Sequence, residues 1–190
     1  MSDSALSTDL VIAQTRKWVK TVVIGEHFCP FASQVFDAQT IRYHVVASQQ
    51  LEACLQALIA ECQKLDETQT IETTLLVYPQ GFAEFEDYLG LLELAEDLLV
   101  VQGYEGIYQL ASFHPHYQFA DADKDDPANY TNRSPYPMLH LLRESSLEKA
   151  IADHPDSKLI PERNQHHARA LGQHKLAELL ENCMNIDCDQ

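Results

Sequence analysis

Basic residues are scarce in this sequence of 190 residues. Lysine and arginine together number 13, whereas aspartate and glutamate number 29, which makes the formal net charge −16 at pH 7. Such a charge repels the phosphate backbone of nucleic acids and the headgroups of anionic lipids. We therefore expect neither a nucleic-acid partner nor a membrane partner.

Long hydrophobic runs are missing as well. The apolar stretches extend over only a few residues, far short of the roughly 20 that span a bilayer. Residues 1–4 have neither the cationic flank nor the apolar core of a signal peptide. A soluble, cytoplasmic protein is the expectation that follows.

The five cysteines include no CxxC pair, and their number is odd. A secreted disulfide scaffold is therefore not expected. Cys54 and Cys62 lie eight residues apart on one apolar helical face, so we predict that they pack in the core. The GxGxxG, Walker and GxSxG motifs are also absent, and no nucleotide cofactor is predicted.

The chain length fits one domain. With 45% hydrophobic and 22% charged residues, the composition is that of a globular protein. We predict a single α/β domain over residues 1–182. A flexible acidic tail is predicted over residues 183–190.

Strand and helix patterns alternate along the middle of the chain. Residues rich in β-branched and aromatic side chains predict strands at 41–47, 71–78 and 107–113. Between them, apolar residues recur with the 3.6-residue helical period over residues 51–65 and 82–101. This order predicts a βαβαβ core with parallel strands and right-handed crossovers.

Further helices are predicted on both sides of this core, up to about residue 24 and again beyond residue 145. The predicted fold is a small α/β domain with a short, mostly parallel sheet covered by helices. The alternative is a two-layer α+β sandwich with an additional antiparallel strand within residues 31–40 or 117–120.

A long segment, residues 113–143, separates the third strand from the C-terminal helices. Its aromatic residues and prolines argue against disorder, and ordered loops of this length are commonly functional. Ligands of α/β proteins bind beyond the carboxyl ends of the strands. His114 and His116 follow such an end, so we predict a site here.

The charge of this segment indicates an anionic ligand. Residues 127–143 include Arg133 and Arg143 and no acidic residue, and a guanidinium matches a carboxylate or phosphate. If residues 138–143 form a helical turn, His140 and Arg143 share one face. The alternative is an ion pair from each arginine to the acidic helix. Other predicted substrate-binding residues are Asn132, Ser134, Tyr117 and Tyr136.

Three histidines of the segment, His114, His116 and His140, are candidates for acid–base catalysis because imidazoles titrate near neutral pH. The spacing of His114 and His116 also suits two ligands of a divalent transition metal, with His140, Cys29 or an aspartate completing the shell. We expect the three histidines and Arg133 to line one cavity.

Cys29 is a further candidate, as a nucleophile activated by a nearby histidine or arginine. It follows the predicted end of the first helix, however, and the carboxyl end of a helix raises the pKa of a thiol. Packing in the protein interior is its alternative role.

Four stretches carry a family resemblance: residues 29–32 (CPFA), 74–79 (TLLVYP), 109–115 (QLASFHP) and 132–144 (NRSPYPMLHLLRE). In this order they resemble the motifs of the bacterial domain-of-unknown-function family 1415, over nearly the whole chain. The resemblance implies a cytoplasmic bacterial protein and points to the same residues without assigning them roles.

Three functional hypotheses follow from these residues. The first is an enzyme that acts on a small anionic metabolite, with histidine acid–base chemistry and arginine anion binding. The second is a non-catalytic module that binds an anionic metabolite or a protein. The third is a metal-dependent hydrolase.

Overall fold

The computed structural model describes residues 6–154 and 156–186, and in this part of the chain one four-stranded sheet lies between two layers of helices. The helices are α1 (Thr8–Trp18), α2 (Ala32–Asp37), α3 (Leu51–Glu67), α4 (Phe85–Val101), α5 (Glu144–Ala152), α6 (Ile160–Leu171) and α7 (Gln173–Met184). The strands are β1 (Ile41–Val45), β2 (Thr73–Val77), β3 (Tyr108–Phe113) and β4 (Met138–Arg143).

The first helix changes type along its length. It begins at the Ser7 cap, whose hydroxyl accepts a hydrogen bond from the Leu10 amide at 3.1 Å. After α1 the chain continues as a π-helix, Val19–Ile24. At its end, a side chain on Gly25 would lie 2.3 Å from the Thr21 carbonyl oxygen. Only glycine fits at this position without moving the backbone.

The strands have the order β1-β2-β4-β3. β1 and β2 pair in parallel, as predicted for the first βαβ unit, whereas β4 is antiparallel to both of its neighbours. β3 therefore runs in the same direction as β1 and β2 but pairs with neither. The α/β fold class is confirmed, and the expectation of a mostly parallel sheet is corrected, because two of the three pairings are antiparallel.

β4 occupies residues 138–143, a segment whose sequence is also compatible with a helical turn. Leu139 and Leu141 point to one face of the sheet and Met138 to the other, and all three are fully buried. An apolar run that is buried on both faces is typical of a central strand. Periodicity does not distinguish so short a run from a buried helix.

The antiparallel strand of the alternative fold thus exists at another position. Residues 31–40 contain α2, and residues 117–120 contain no strand. The connection of residues 114–137 is long enough for the chain to reverse and to insert β4 between β2 and β3. With helices on both faces, the domain has three layers and is not the alternative two-layer sandwich.

Each face of the sheet has its own apolar core. α3 and α4 cover one face, where Cys54 and Cys62 are fully buried as predicted. α1, the π-helix, α6 and α7 cover the other face, which includes Trp18 and Val77. None of the helices in the described residues is long and apolar enough to cross a membrane.

The last helix continues past the predicted domain boundary at residue 182. Cys183 is fully buried, and its sulfur lies 3.5 Å from the Thr21 hydroxyl. The Gln14 amide donates to the Met184 carbonyl at 2.7 Å. These contacts make the end of α7 part of the domain. Residues 187–190 of the predicted tail, with Cys188, lie outside the described residues.

Two glycines, Gly25 just after the π-helix and Gly90 within α4, should respond in opposite ways to alanine. Gly25→Ala forces the new Cβ against the Thr21 carbonyl, and we expect a loss of about 1–3 kcal/mol in the free energy of unfolding. A methyl group on Gly90 of α4 would meet no atom within 4 Å, so Gly90→Ala should raise that free energy by about 0.5–1 kcal/mol. Urea unfolding measures both values, and changes of the same sign would contradict the different surroundings of the two glycines.

Candidate ligand-binding groove

The carboxyl ends of β1, β2 and β3 meet at one edge of the sheet, because these three strands run in the same direction. His114 follows β3 at this edge, as predicted. β4 begins here and ends at the opposite edge, where Arg143 pairs with Tyr108. The residues that the sequence predicts to form one site therefore lie at both ends of the strands and not at one place.

His114 is fully buried, and both of its ring nitrogens are bonded. Nδ1 accepts a hydrogen bond from the His116 amide at 3.0 Å, so the proton is on Nε2, which donates to the Phe82 carbonyl at 2.9 Å. Burial lowers the pKa of His114 below its usual value. A neutral imidazole with no unbonded nitrogen can position a loop, whereas it has no lone pair left for a metal or a substrate proton.

The loop that His114 holds has a strained residue. Phe82 has φ of +59°, a value that is unfavourable for a bulky side chain. Its ring packs edge-on against Tyr78, with the centroids 5.7 Å apart. Strain of this kind persists where surrounding contacts impose it, and it is concentrated at functional sites.

A groove with a volume of about 570 Å³ lies next to this loop, between the connections that follow β1 and β2. Parallel strands place their following loops at the same edge, which is where α/β proteins bind ligands. Two carboxylates and no basic side chain line it. Seven of its lining residues define the groove here: Gln49, Gln80, Gly81, Phe82, Glu86, Asp87 and Gly90.

None of these seven residues is among those predicted from the sequence. The rule that selects His114, a position just past a strand end, applies equally to the loops after β1 and β2. Those loops are shorter than the segment after β3, and they contain neither the histidines nor the arginines that make that segment conspicuous in the sequence.

His140 lies on the other face of the sheet. It stands between Leu75 of β2 and Ala111 of β3, and Leu75 belongs to the core beneath α1. The Thr73 hydroxyl donates to the Leu141 carbonyl at 2.6 Å, so His140 Nε2 must donate to that hydroxyl at 2.7 Å. Burial lowers the pKa of His140 to about 4. The expectation of a single cavity containing His114 and His140 is therefore wrong.

Arg133 binds backbone carbonyls of its own loop. Its guanidinium donates to Tyr117 at 3.2 Å and to Lys124 at 2.9 Å. It also lies 4.4 Å from the centroid of the Tyr130 ring. These contacts fix residues 117–133 relative to one another, and they engage two of the five N–H donors of the guanidinium.

Arg143 has the same kind of partners at the opposite edge of the sheet. It donates to the carbonyls of Leu65 at 2.6 Å and Ile71 at 3.1 Å. Leu65 is in the last turn of α3, so Arg143 satisfies a carbonyl that the helix leaves unpaired. Within the described residues neither arginine forms an ion pair, and the two are too far apart in the fold to hold one small anion.

The remaining predicted binding residues also make internal contacts. The Asn132 amide donates to the Ser112 carbonyl at 3.1 Å, and the Ser134 hydroxyl donates to the Tyr136 carbonyl at 2.6 Å. The Tyr136 hydroxyl donates to Gln14 of α1, on the face away from the groove. Tyr117 lies near Phe85, with the ring centroids 5.1 Å apart, and its hydroxyl is 3.3 Å from that of Ser112.

The last two candidates, His116 and Cys29, differ in their exposure to solvent. His116 is exposed, and its ring lies 5.8 Å from that of His114. Burial raises the pKa of the Cys29 thiol, although the amides of Phe31 and Ala32 oppose this shift. A thiol of this kind is protonated at neutral pH, which fits the packing role better than the nucleophilic one.

The described part of the chain provides no ligand set for the predicted metal site. There, no group of three or more His, Cys, Asp or Glu side chains is arranged to hold a metal ion. The first predicted ligand, His114, has both nitrogens engaged in hydrogen bonds.

A three-layer α/β domain with a mixed sheet and a groove at its carboxyl edge is the class that this architecture defines. Residues 10–178 match a family model described as "Protein of unknown function (DUF1415)". The chain belongs to this family, as the motifs indicated. No curated protein and no solved structure matches it.

Removing the Arg143 guanidinium should destabilise the fold. Arg143→Ala leaves the Leu65 and Ile71 carbonyls without their donor, and we expect a loss of about 1–3 kcal/mol in unfolding free energy. Phosphate at about 20 mM, well above the dissociation constant of even a weak millimolar site, should not restore it. The measurement is chemical denaturation with and without phosphate at constant ionic strength. A wild-type protein that phosphate stabilises and Arg143→Ala renders insensitive would contradict the structural role.

His140 should make the stability fall in mild acid. The pKa is about 4 in the folded protein and roughly 6.5 in the unfolded chain, so the unfolded chain binds the proton first. The stabilisation of the folded protein by neutral His140 is therefore complete above about pH 6.5. As the pH falls towards 4, the free energy of unfolding decreases by on the order of 2 kcal/mol. His140→Phe keeps a ring and leaves the Thr73 hydroxyl bonded to Leu141.

The test of this prediction is urea unfolding of wild type and His140→Phe between pH 7.5 and 4.5. The variant should lose less stability over this range than the wild type does. Parallel curves for the two proteins would show that His140 is not the titrating group.

Proposed function

We propose that this chain is a small-molecule-binding protein whose ligand lies in the groove at the carboxyl edge of β1 and β2. The position supports binding, since loops after parallel strands form the ligand sites of α/β folds. The volume of about 570 Å³ lies within the usual range for small-molecule sites. No histidine, cysteine, serine or lysine lines the groove, so its chemistry supports binding more than catalysis.

Gly90 carries this proposal. It lies in the middle of α4 and lines the groove, and a methyl group at this position would contact nothing within 4 Å. Glycine inside a helix is less favourable than alanine by about 1 kcal/mol. Packing does not require the glycine, and the space beside it opens into the groove, so a large side chain at this position would enter the groove.

The lining favours a ligand with a cationic group. Glu86 and Asp87 supply carboxylates, and Gln49 and Gln80 supply amides that both donate and accept hydrogen bonds. A small primary amine with further polar groups complements this set. The anionic ligand expected from the sequence has little support, because Arg133 and Arg143 are bonded to backbone carbonyls.

In this proposal His114 is a positioning residue. Its bond to the Phe82 carbonyl holds the wall of the groove in the strained conformation. Histidine acid–base chemistry is a second candidate that only His116 supports. It is the one of the three candidate histidines whose ring nitrogens form no hydrogen bond within the described residues.

We also propose a cytoplasmic location in a bacterium. The four cysteines in the described chain, Cys29, Cys54, Cys62 and Cys183, are all free thiols. Free thiols of this number fit a reducing compartment. The bacterial origin is an inference from the family resemblance of the sequence motifs.

Two variants at residue 90 test the ligand site. Gly90→Ala keeps nearly all the space, whereas Gly90→Leu fills the groove. We expect a panel of small primary amines to raise the melting temperature of wild type and Gly90→Ala by mass action. The same amines should not stabilise Gly90→Leu, and Asp87→Asn should reduce the shift. Thermal melting at constant ionic strength is the measurement.

Dicarboxylates and phosphate serve as the matched anionic panel. No amine effect in the wild type, or an equal effect in Gly90→Leu, would contradict the groove as the site. Stabilisation by anions that Arg133→Ala removes and Gly90→Leu retains would instead support the anion-binding hypothesis.

A further inference from the structure

A second concave surface runs between α3 and α4 on the outside of the domain. It has a volume of about 560 Å³, and its floor is apolar. We call it the trough and define it by Leu51, Leu55, Ile59, Ala60 and Leu98. α3 and α4 return the chain between strands of one direction, so they lie side by side and the trough follows both.

The trough is apolar and only partly covered by the fold. Leu51 at one end is 39% exposed, and Leu55 and Ile59 are partly buried where they pack against the core. Each of the two helices has 17 residues, a length of about 25 Å. An apolar groove between two helices of this length accommodates three or four turns of a third helix.

Charge determines what kind of helix fits. α4 contains five acidic residues and no basic residue, and Glu52 of α3 lies in the lining of the trough. On a helical wheel, Asp97 lies beside Leu98 towards solvent, whereas Glu93 lies on the side of α4 opposite the lining residues Leu98 and Gln102. A helix that lies here meets apolar side chains below and the Glu52 carboxylate at its edge, within the negative potential of α4.

We infer that the trough binds an amphipathic, basic helix of a partner protein. The partner would present leucine-like side chains at helical spacing, with lysine or arginine flanking them. A second copy of this chain that docks through its own α4 does not fit, because two α4 helices would bring ten carboxylates together, twice the five of one copy, with no base on α4 to offset them. This inference does not rest on the proposed small-molecule site.

The probe for this surface is a dye-labelled helical peptide with leucine and lysine on opposite faces, about 14 residues or four turns long. A control peptide has glutamate in place of every lysine. Binding is followed by fluorescence anisotropy at about 0.15 M salt, where long-range attraction is largely screened. We expect the lysine peptide to bind and the glutamate peptide not to bind.

A matched pair of variants separates the trough from general attraction to an acidic protein. Leu51 and Leu89 have nearly the same exposure, 39% and 37%. Leu51 lines the trough and also borders the groove, whereas Leu89 lines neither surface. We expect Leu51→Gln to weaken binding of the lysine peptide at least fivefold and Leu89→Gln to change it less than twofold. Neither substitution alters the net charge, and melting curves show whether each variant is folded.

A second pair examines the carboxylates. Glu52→Gln removes a charge in the trough, whereas Glu148→Gln removes one from exposed α5. Glu52→Gln should weaken binding about two- to threefold, more than Glu148→Gln does, and should make binding less dependent on salt.

Three outcomes would overturn the inference. The first is no binding of the lysine peptide to the wild-type protein. The second is an equal effect of Leu51→Gln and Leu89→Gln, which would indicate attraction to charge alone. The third is a wild-type dimer in sedimentation that Leu51→Gln dissociates, since a second copy would then occupy the trough. Stabilisation by amines, tested with Gly90→Leu, is unaffected by any of the three.

Discussion

The position of β4 depends on the connection of residues 114–137. This connection must provide hydrogen-bond partners for its own backbone N–H and C=O groups. The segment contains only a short 3-10 turn, Pro127–Thr131, as regular structure. A backbone group that is buried without a partner costs as much as a lost hydrogen bond. Side chains provide the missing partners: Asn129 binds Phe119 and Asp123, Asn132 binds Ser112, and Arg133 binds Tyr117 and Lys124.

This requirement explains why the segment resembles a binding site in the sequence. Amides, guanidinium groups and imidazoles are suitable donors for substrate anions, and they are equally suitable for backbone carbonyls. The absence of acids in residues 127–143 follows from the same need, because carbonyl oxygens require donors. Arg133 and His114 thus order the loop that leads the chain to β4, between β2 and β3.

The parts of the fold that could be predicted are those with a local signal. The period of α3 and the β-branched residues of β1 and β2 predicted the parallel unit correctly. β4 could not be predicted as a strand, because its apolar residues fill both faces and match a buried helix equally well. The partner of a strand is a long-range property, and no local pattern indicates that β4 rather than β3 lies beside β2.

The candidate groove could not be predicted for a different reason. Its residues, such as Gln80 and Gly90, have no chemistry that stands out, and their importance depends on where two loops meet. By contrast, His114 lies at the edge of the sheet where it was expected, with both nitrogens bonded to backbone. The hydrogen bond from His114 to the Phe82 carbonyl links the predicted histidine to the groove. His114 shapes the groove through this bond, although it does not line it.

The uneven surface charge of the domain follows from the partners of its basic side chains, several of which are bonded within the fold. Arg42 binds Glu61, which is only 3% exposed, and Arg169 binds Asp126, while Arg133 and Arg143 bind carbonyls. Few cations remain to offset the acids on the surface. α4, with five acidic residues, forms no ion pair within the described chain.

Isolated carboxylates on an exposed helix are well solvated and cost little, so folding does not require them to be paired. Their concentration on α4 nevertheless gives one side of the domain a negative potential that favours cationic partners and is weakened by salt. The groove at the start of α4 and the trough along it both lie in this potential. A positively charged group is therefore the property that the ligands of the two surfaces should share, although one accepts a small molecule and the other a helix.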